Sequence, residues 1–471
     1  MAETTLLILG ASGDLTSRLL LPGLATLLAA EPSREVRVAG SDLKEIDDAE
    51  WRDLVRQAFE QGVPAPAEPD GGQDSPDRTA LDRALETTSY TAGDATDARA
   101  LQSLVDSLDL AAENRLVVYF ALPPHITAKV CEALVDVDLP EQTILAAEKP
   151  FGTDGERARE LNRLLTRIVP EEQIFRIDHF LGLYTVLNIL GLRFANRLFE
   201  RVWDRDSIER VEIFYDETVT LEGRAGYYDR AGALRDMLQS HLLQVMALMA
   251  IDQPASIEER DLRDAVGQVL RAARVPDPAR HSRRARYTAG RIGERDVPDY
   301  TSEEGVDPEL NTETLAEIQV EIANHRWAGV PFVLRSGKSF GRGQKQAIVH
   351  FRDPAHVPGG LQGRNTPDSL TIDFKPDCFT LRVTTNGRGD PFTLEQTELT
   401  GELGGGQLEP YGEVLASMLD GDLRLAVRGD AAEECWRIVT PVLQAWAANE
   451  VPMDTYPAGS RGPEDWETTA E

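Results

Sequence analysis

Cysteine is scarce in this chain: Cys131, Cys378 and Cys435 share no metal-like spacing, and their odd number excludes a closed disulfide framework. They read as ordinary buried thiols of a reducing compartment. Positive charge is also in short supply, with 49 Lys and Arg against 80 Asp and Glu, for a formal net charge of −31. That balance excludes nucleic-acid binding, which needs a basic face, and disfavours an anionic membrane surface. It also repels anionic small molecules, so a phosphate-bearing ligand would need basic residues placed locally. No apolar run approaches the roughly 20 residues that cross a bilayer. The start, Met1-Ala2-Glu3-Thr4, has no basic segment ahead of its first apolar run, so no signal peptide is expected and the location expected is cytoplasmic. No cluster suggests a metal site.

What is present is a large apolar fraction, 41% of 471 residues, enough for two or three domains. Thr5–Leu9, Val36–Ala39, Leu116–Ala121 and Thr143–Ala147 are short continuous apolar runs. Helical patterns lie at Leu15–Ala30 and Ala49–Glu60. Strands buried on both faces by crossover helices have this texture, which predicts a Rossmann-like, doubly wound parallel sheet over residues 1–177. Val63–Asp82, rich in Pro, Gly and Asp, reads as an exposed insertion loop. Residues 178–471 look different. After a helical stretch at Leu183–Asn196, alternating runs at Ile208–Tyr215, Ala316–Ala323, Gln346–Phe351, Ser369–Phe374 and Thr380–Thr385 predict a large, mostly antiparallel sheet with helices, an α+β domain. The last dozen residues are expected to fray.

Gly10-Ala11-Ser12-Gly13-Asp14-Leu15 sits between the first strand and the first helix. Glycines there let the backbone approach a pyrophosphate, and the helix start offers unpaired amides with a positive dipole. The turn therefore predicts a dinucleotide site. Its 2′ end would be read where the second strand stops, at Gly40-Ser41-Asp42-Leu43-Lys44. A carboxylate at Asp42 suits the ribose hydroxyls of NAD and repels the 2′-phosphate of NADP, while Lys44 and Arg18 are cations that would restore NADP. Asp42 as a plain turn residue facing solvent is the bland alternative.

The word GASGDL, followed by Arg18 and Pro22, resembles the opening of the glucose-6-phosphate dehydrogenase family. Arg176-Ile177-Asp178-His179-Phe180-Leu181-Gly182 resembles that family's RIDHYLGK signature. Leu234-Arg235-Asp236-Met237-Leu238-Gln239-Ser240-His241 resembles its second signature. Glu148-Lys149-Pro150-Phe151-Gly152, Thr312-Glu313-Thr314, Arg335-Ser336-Gly337-Lys338 and Tyr456-Pro457-Ala458-Gly459-Ser460 are further family words, so the likeness runs from Gly10 to about Pro463.

The resemblance implies oxidation of glucose 6-phosphate at C1 to the 6-phosphoglucono-δ-lactone with NADP or NAD, the first step of the pentose phosphate pathway. It implies His241 as the catalytic base, which suits a group titrating near neutrality, and Asp178 as the carboxylate that orients it. Lys149 would touch substrate and coenzyme, and Gly10, Ser12, Gly13, Asp14, Leu15, Arg18 and Asp42 would line the cofactor site. Glu217 and Asp236 would accept hydrogen bonds from sugar hydroxyls, with His179 and Lys338 completing substrate binding. A homodimer or homotetramer is implied as well.

Several positions depart from the pattern, among them Thr16-Ser17-Arg18-Leu19, where two of the family's lysines are gone, and Lys375-Pro376-Asp377. Phe180 replaces the signature tyrosine, Leu183 its closing lysine, and Leu43 the arginine that commonly grips a 2′-phosphate. Phosphate recognition relies on cationic donors, so the sugar-phosphate end is altered; Lys338, Arg342 and Lys345 are the remaining basic candidates. Two alternatives stay open: an aldose 1-dehydrogenase for free glucose or another hexose, and a catalytically weak regulatory or scaffold subunit.

Overall fold

The computed structural model describes residues 4–64, 77–363, 366–406 and 408–466. Two compact units emerge. The first comprises Met1–Leu183, Ala255–Arg263 and Gly406–Glu433; the second comprises Tyr184–Pro254, Asp264–Gly405 and Glu434–Glu471. The chain thus leaves the first unit and returns to it twice, where a single boundary at 177/178 was expected.

In the first unit, strands β1 (Thr4–Leu9), β2 (Val36–Asp42), β3 (Ser89–Ala92), β4 (Arg115–Phe120), β5 (Thr143–Glu148) and β6 (Ile174–Ile177) form a parallel sheet in the order 6-5-4-1-2-3. The short strand Ala426–Val427 pairs antiparallel on β6. Side chains alternate across the sheet: Leu6, Ile8, Val38, Val117 and Tyr119 join one core, and Leu7, Leu9, Leu116, Val118 and Phe120 join the other. Both faces are covered, so the apolar runs are continuous rather than alternating. Asp47, Asp97 and Asp154 cap the helices Asp48–Gly62, Ala98–Ser107 and Gly155–Ile168 by accepting from backbone amides of the first turn. Part of the expected loop Val63–Asp82, residues 65–76, lies outside the described residues. Its last four residues, from Thr79, instead open the helix Thr79–Thr87, whose Ala80, Leu81 and Ala84 are buried.

In the second unit, nine strands run in the order Leu394–Glu402, Asp377–Asn386, Ser369–Phe374, Gln344–Phe351, Ile208–Asp216, Pro331–Gly337, Leu315–Ile322, Ser282–Thr288 and Met453–Pro457. A tenth, Ala273–Arg274, pairs on Leu315–Ile322. The pairing is mostly antiparallel; Pro331–Gly337 runs parallel to Ile208–Asp216, and Met453–Pro457 parallel to Ser282–Thr288. The expected fraying of the chain end stops short of Trp466, which is buried and donates its indole N–H to Asp454 at 2.8 Å. Residues 467–471 lie outside the described residues. Of the thiols, Cys131 and Cys435 are buried and Cys378 is half-buried.

Candidate active site

The glycine turn of the first unit is built as its sequence suggests. Gly10 has φ +87°, a left-handed conformation, and a β-carbon there would lie 2.9 Å from the carbonyl carbon of Ala121. Glycine is therefore required by backbone and space together. The Gly10 and Ala11 amides donate to Ser41 O at 2.9 and 3.1 Å, which pins the turn to the end of β2. The helix that follows starts at Asp14, so the amides of its first turn, Asp14 and Leu15 among them, have no partner inside the helix.

Asp42 does not stand alone at the strand end. Its Oδ2 accepts from the Ser12 amide at 3.2 Å and the Ser12 hydroxyl at 2.7 Å, and its Oδ1 accepts from the Leu43 amide at 2.7 Å. The carboxylate thus ties β2 to the glycine turn, which is more than a solvent-facing turn residue does. The two nearby cations are loosely held: Arg18 pairs with Asp14 at 3.3 Å and Lys44 with Glu50 at 3.5 Å, all four side chains more than half exposed. Such pairs contribute about 0–1 kcal/mol, so either cation is able to turn toward a ligand.

Lys149 is half-buried, following Glu148 at the end of β5. The Glu148 carboxylate accepts from the hydroxyls of Tyr119 and Tyr411, the latter at 3.2 Å. Burial raises the Glu148 carboxyl above its ordinary range, opposed by both tyrosine hydroxyls and by Lys149. Asp178 is fully buried and caps the short turn His179–Gly182 by accepting from the Phe180 amide at 3.0 Å. The His179 ring stacks on Tyr411, centroids 5.6 Å apart with an 18° angle between planes. Phe180 is buried and Leu183 half-buried, so this turn offers an imidazole but neither a hydroxyl nor an ammonium.

The second unit supplies the remaining residues. Asp236 and His241 stand on one wide helix of π type, Leu234–Leu242; His241 is buried and Asp236 half-buried. Wide turns of this kind occur often at functional sites. Asp236 accepts from the Tyr227 hydroxyl at 3.3 Å. Lys338, buried, pairs through Nζ with Glu217 at 2.7 Å and lies 5.1 Å from the Tyr228 ring centre. Lys345 lies over the Tyr215 ring at 4.6 Å, and Arg342 is exposed.

These words and folds match known proteins over nearly the whole chain. The model of the glucose-6-phosphate dehydrogenase NAD binding domain matches residues 7–188, and that of the glucose-6-phosphate dehydrogenase C-terminal domain residues 190–471. The chain belongs to the glucose-6-phosphate dehydrogenase family. Glucose-6-phosphate 1-dehydrogenase of Treponema pallidum is 35% identical over 98% of this chain and 92% of its own length, and that of Gluconobacter oxydans is 37% identical over 97% and 94%. A glucose-6-phosphate dehydrogenase solved in complex with its substrate glucose-6-phosphate has a TM-score of 0.87 at 29% identity, covering 98% of this chain and 96% of that one. The Mycobacterium avium glucose-6-phosphate 1-dehydrogenase structure has a TM-score of 0.84 at 32% identity, covering 98% and 95%.

Within this family member the structure brings several expected residues together and adds others. It joins Ser12 to Asp42 in the first unit and Glu217 to Lys338 in the second, and it sets Asp236 and His241 on one helix. Tyr119 and Tyr411, which contact Glu148 and His179, carry no local signal in the sequence. Tyr411 in particular lies in a segment whose return to the first unit only the fold reveals.

Proposed function

We propose that this chain oxidises glucose 6-phosphate at C1 to 6-phosphoglucono-δ-lactone with NAD or NADP as cofactor. The observation that carries the reading is a buried histidine, His241, on the same helix as the carboxylate Asp236, inside a family signature, in a chain that also has Glu217, Lys338 and Lys149. In this reading His241 removes the proton of the C1 hydroxyl, and Asp178 is assigned by its signature as the carboxylate that orients the base. Glu217 and Asp236 bind ring hydroxyls, with Lys338 holding the Glu217 carboxylate in place. Lys149 and His179 complete the substrate set. A bound nicotinamide supplies the acceptor for the electron pair leaving C1. The residues present fit such a cofactor: Gly10, at φ +87°, lets the chain turn tightly at the end of β1, and after Gly13 the residues Asp14 and Leu15 open a helix whose first amides have no partner inside the helix, with Arg18 nearby. Asp42 supports NAD, since its carboxylate is fixed beside the turn with no arginine at Leu43. The reading includes a cytoplasmic location and a homodimer or homotetramer; among the described residues no helix is long and apolar enough to cross a membrane.

A second substrate, free glucose, is favoured by one observation: the turn after Asp178 presents Phe180 and Leu183, neither of which binds phosphate. The test is the rate of reduced cofactor formation with glucose 6-phosphate and with glucose, each with NAD and with NADP. Turnover of neither sugar with either cofactor defeats the proposal.

A further inference from the structure

The word Thr312-Glu313-Thr314 has no role in the chemistry above, yet it lies where several parts of the second unit meet. Gly232, near the end of the stretch Ala225–Ala233, has φ 68° and ψ 170° and breaks the helical path just before the helix Leu234–Leu242. A helix that starts there presents amides without internal partners, and Ala233, at its N-cap, offers no side-chain cap. Glu313 supplies what is missing. Its Oε1 accepts from the Leu234 amide at 3.0 Å, and its backbone carbonyl accepts from the Ala233 amide at 3.4 Å.

Its two neighbours fasten the same knot to other parts of the unit. The Thr312 hydroxyl donates to the backbone carbonyl of Asp229, in the helix before the break. The Thr314 carbonyl accepts from the Lys338 amide at 3.0 Å, and the Tyr456 hydroxyl, 3.1 Å from the Thr314 hydroxyl, donates to the Lys338 carbonyl at 2.7 Å. Glu313 is 6% exposed, and a β-carbon on Gly232 would lie 2.6 Å from its carboxyl carbon. Glycine at 232 and the acid at 313 therefore fit each other.

We propose that Glu313 is a positioning residue for the reaction: its carboxylate caps the helix that carries Asp236 and His241 and sets where those two side chains stand. This rests on the roles assigned to Asp236 and His241 above. An oxygen acceptor at a helix start satisfies an amide that has no internal partner and fixes the first turn, and displacements near 1 Å are enough to cost a reaction about a hundredfold.

The experiment uses the full chain. Glu313→Ala is expected to lower kcat/KM for the sugar by about tenfold or more, divided between kcat and sugar KM, with cofactor KM within about twofold. Glu313→Gln keeps an oxygen acceptor for Leu234 N–H and is expected to restore kcat/KM to within about threefold of wild type. Hydrogen exchange across residues 234–242, read without substrate, is expected to quicken in Glu313→Ala and to stay near wild type in Glu313→Gln. Wild-type kinetic constants and exchange in folded Glu313→Ala overturn the proposal, as does a glutamine variant as impaired as the alanine. If the alanine variant does not fold, Glu313→Asp, with its carboxylate drawn back by one methylene, replaces it; unchanged sugar kinetics and exchange there overturn the proposal equally. The exchange measurement separates the two readings: a protein that turns over neither sugar defeats the proposed activity, whereas unchanged exchange in Glu313→Ala defeats the cap.

Discussion

The cofactor turn and the histidine helix are held in opposite ways. The turn is six consecutive residues, Gly10 to Leu15, fixed mostly by its own backbone and by β2 beside it. The helix with Asp236 and His241 is capped by a residue far away in sequence, Glu313, and the pair Glu217 and Lys338 in the same unit is separated by 121 positions. A site made of consecutive residues changes by local substitution, as Phe180 and Leu183 show. A site assembled from distant segments is set by contacts that only folding makes, as Glu313 at the start of the helix shows. The proposed division of labour follows: cofactor and phosphate recognition at the first unit's turns, ring binding and proton removal by residues of the second unit.

Four variants test that division, and the largest effect is expected in the helix. His241→Asn is expected to lower kcat by about 10²–10⁴ with sugar KM little changed. A variant retaining more than half of wild-type kcat, with chemistry rate-limiting, removes His241 from the mechanism.

Next comes the phosphate end. Restoring a hydroxyl and an ammonium by Phe180→Tyr with Leu183→Lys adds two donors to a charged group, each contributing about 1.5–3 kcal/mol when well placed. The double variant is therefore expected to lower KM for glucose 6-phosphate by about tenfold or more while KM for glucose stays fixed. If wild type already shows a low-micromolar KM for glucose 6-phosphate and no activity on glucose, other basic residues hold the phosphate and the turn is not altered in function.

A smaller effect is expected at Asp42. Wild type is expected to use NAD at least as well as NADP, and Asp42→Asn, which removes the repelling charge, to shift the ratio of kcat/KM values toward NADP by several-fold, on the order of 1 kcal/mol. A wild-type preference for NADP of about tenfold or more would make Asp42 a structural tie to Ser12 and no more.

The smallest effect concerns Tyr411. Burial raises the Glu148 carboxyl above its ordinary range, so in this group's contribution the folded state loses stability as pH rises above that range, where the unfolded chain has already released the proton. The tyrosine hydroxyls oppose that loss by favouring the ionised form. Tyr411→Phe is therefore expected to cost more at pH 8 than at pH 5, by about 1 kcal/mol or a few degrees in Tm. An equal loss at both pH values would mean that the hydroxyl does not stabilise the carboxylate.

Legibility in the sequence divides along the same line. The glycine turn, β1, β4 and β5 are plain, because a strand buried on both faces leaves a continuous apolar run and a tight turn leaves its glycine. Ile208–Asp216 shows its alternation, but its parallel pairing with Pro331–Gly337 is a long-range choice that no local pattern records. The expectation of a frayed end misjudged the chain as far as Trp466, because Pro, Gly and acids outweighed one buried indole in the composition. The loop expectation at Val63–Asp82 failed at its end for a similar reason: the helix Thr79–Thr87 begins on a polar residue and shows its buried Ala80, Leu81 and Ala84 only against the sheet. The family signatures are what single out His241, Asp178 and Lys149 as proposed site residues. Nothing in them located Tyr411 or the capping contact of Glu313, since both depend on segments that meet only after folding.

The two returns of the chain to the first unit bear on how the protein is made. Val414, Leu415, Met418 and Leu419, on the helix Pro410–Asp420, belong to the same apolar core as Leu6, Ile8 and Val38 of the first two strands. A nascent chain that has emerged only to Leu183 has its dinucleotide-binding sheet but not the helix that covers part of one face. Some two hundred further residues must be translated before that helix arrives. Apolar surface on the early half thus stays open for seconds at ordinary rates of synthesis, roughly 5–20 residues per second. During that interval the unit offers chaperones a surface to hold, and a gene fragment ending at the obvious domain boundary would leave the same surface bare for good.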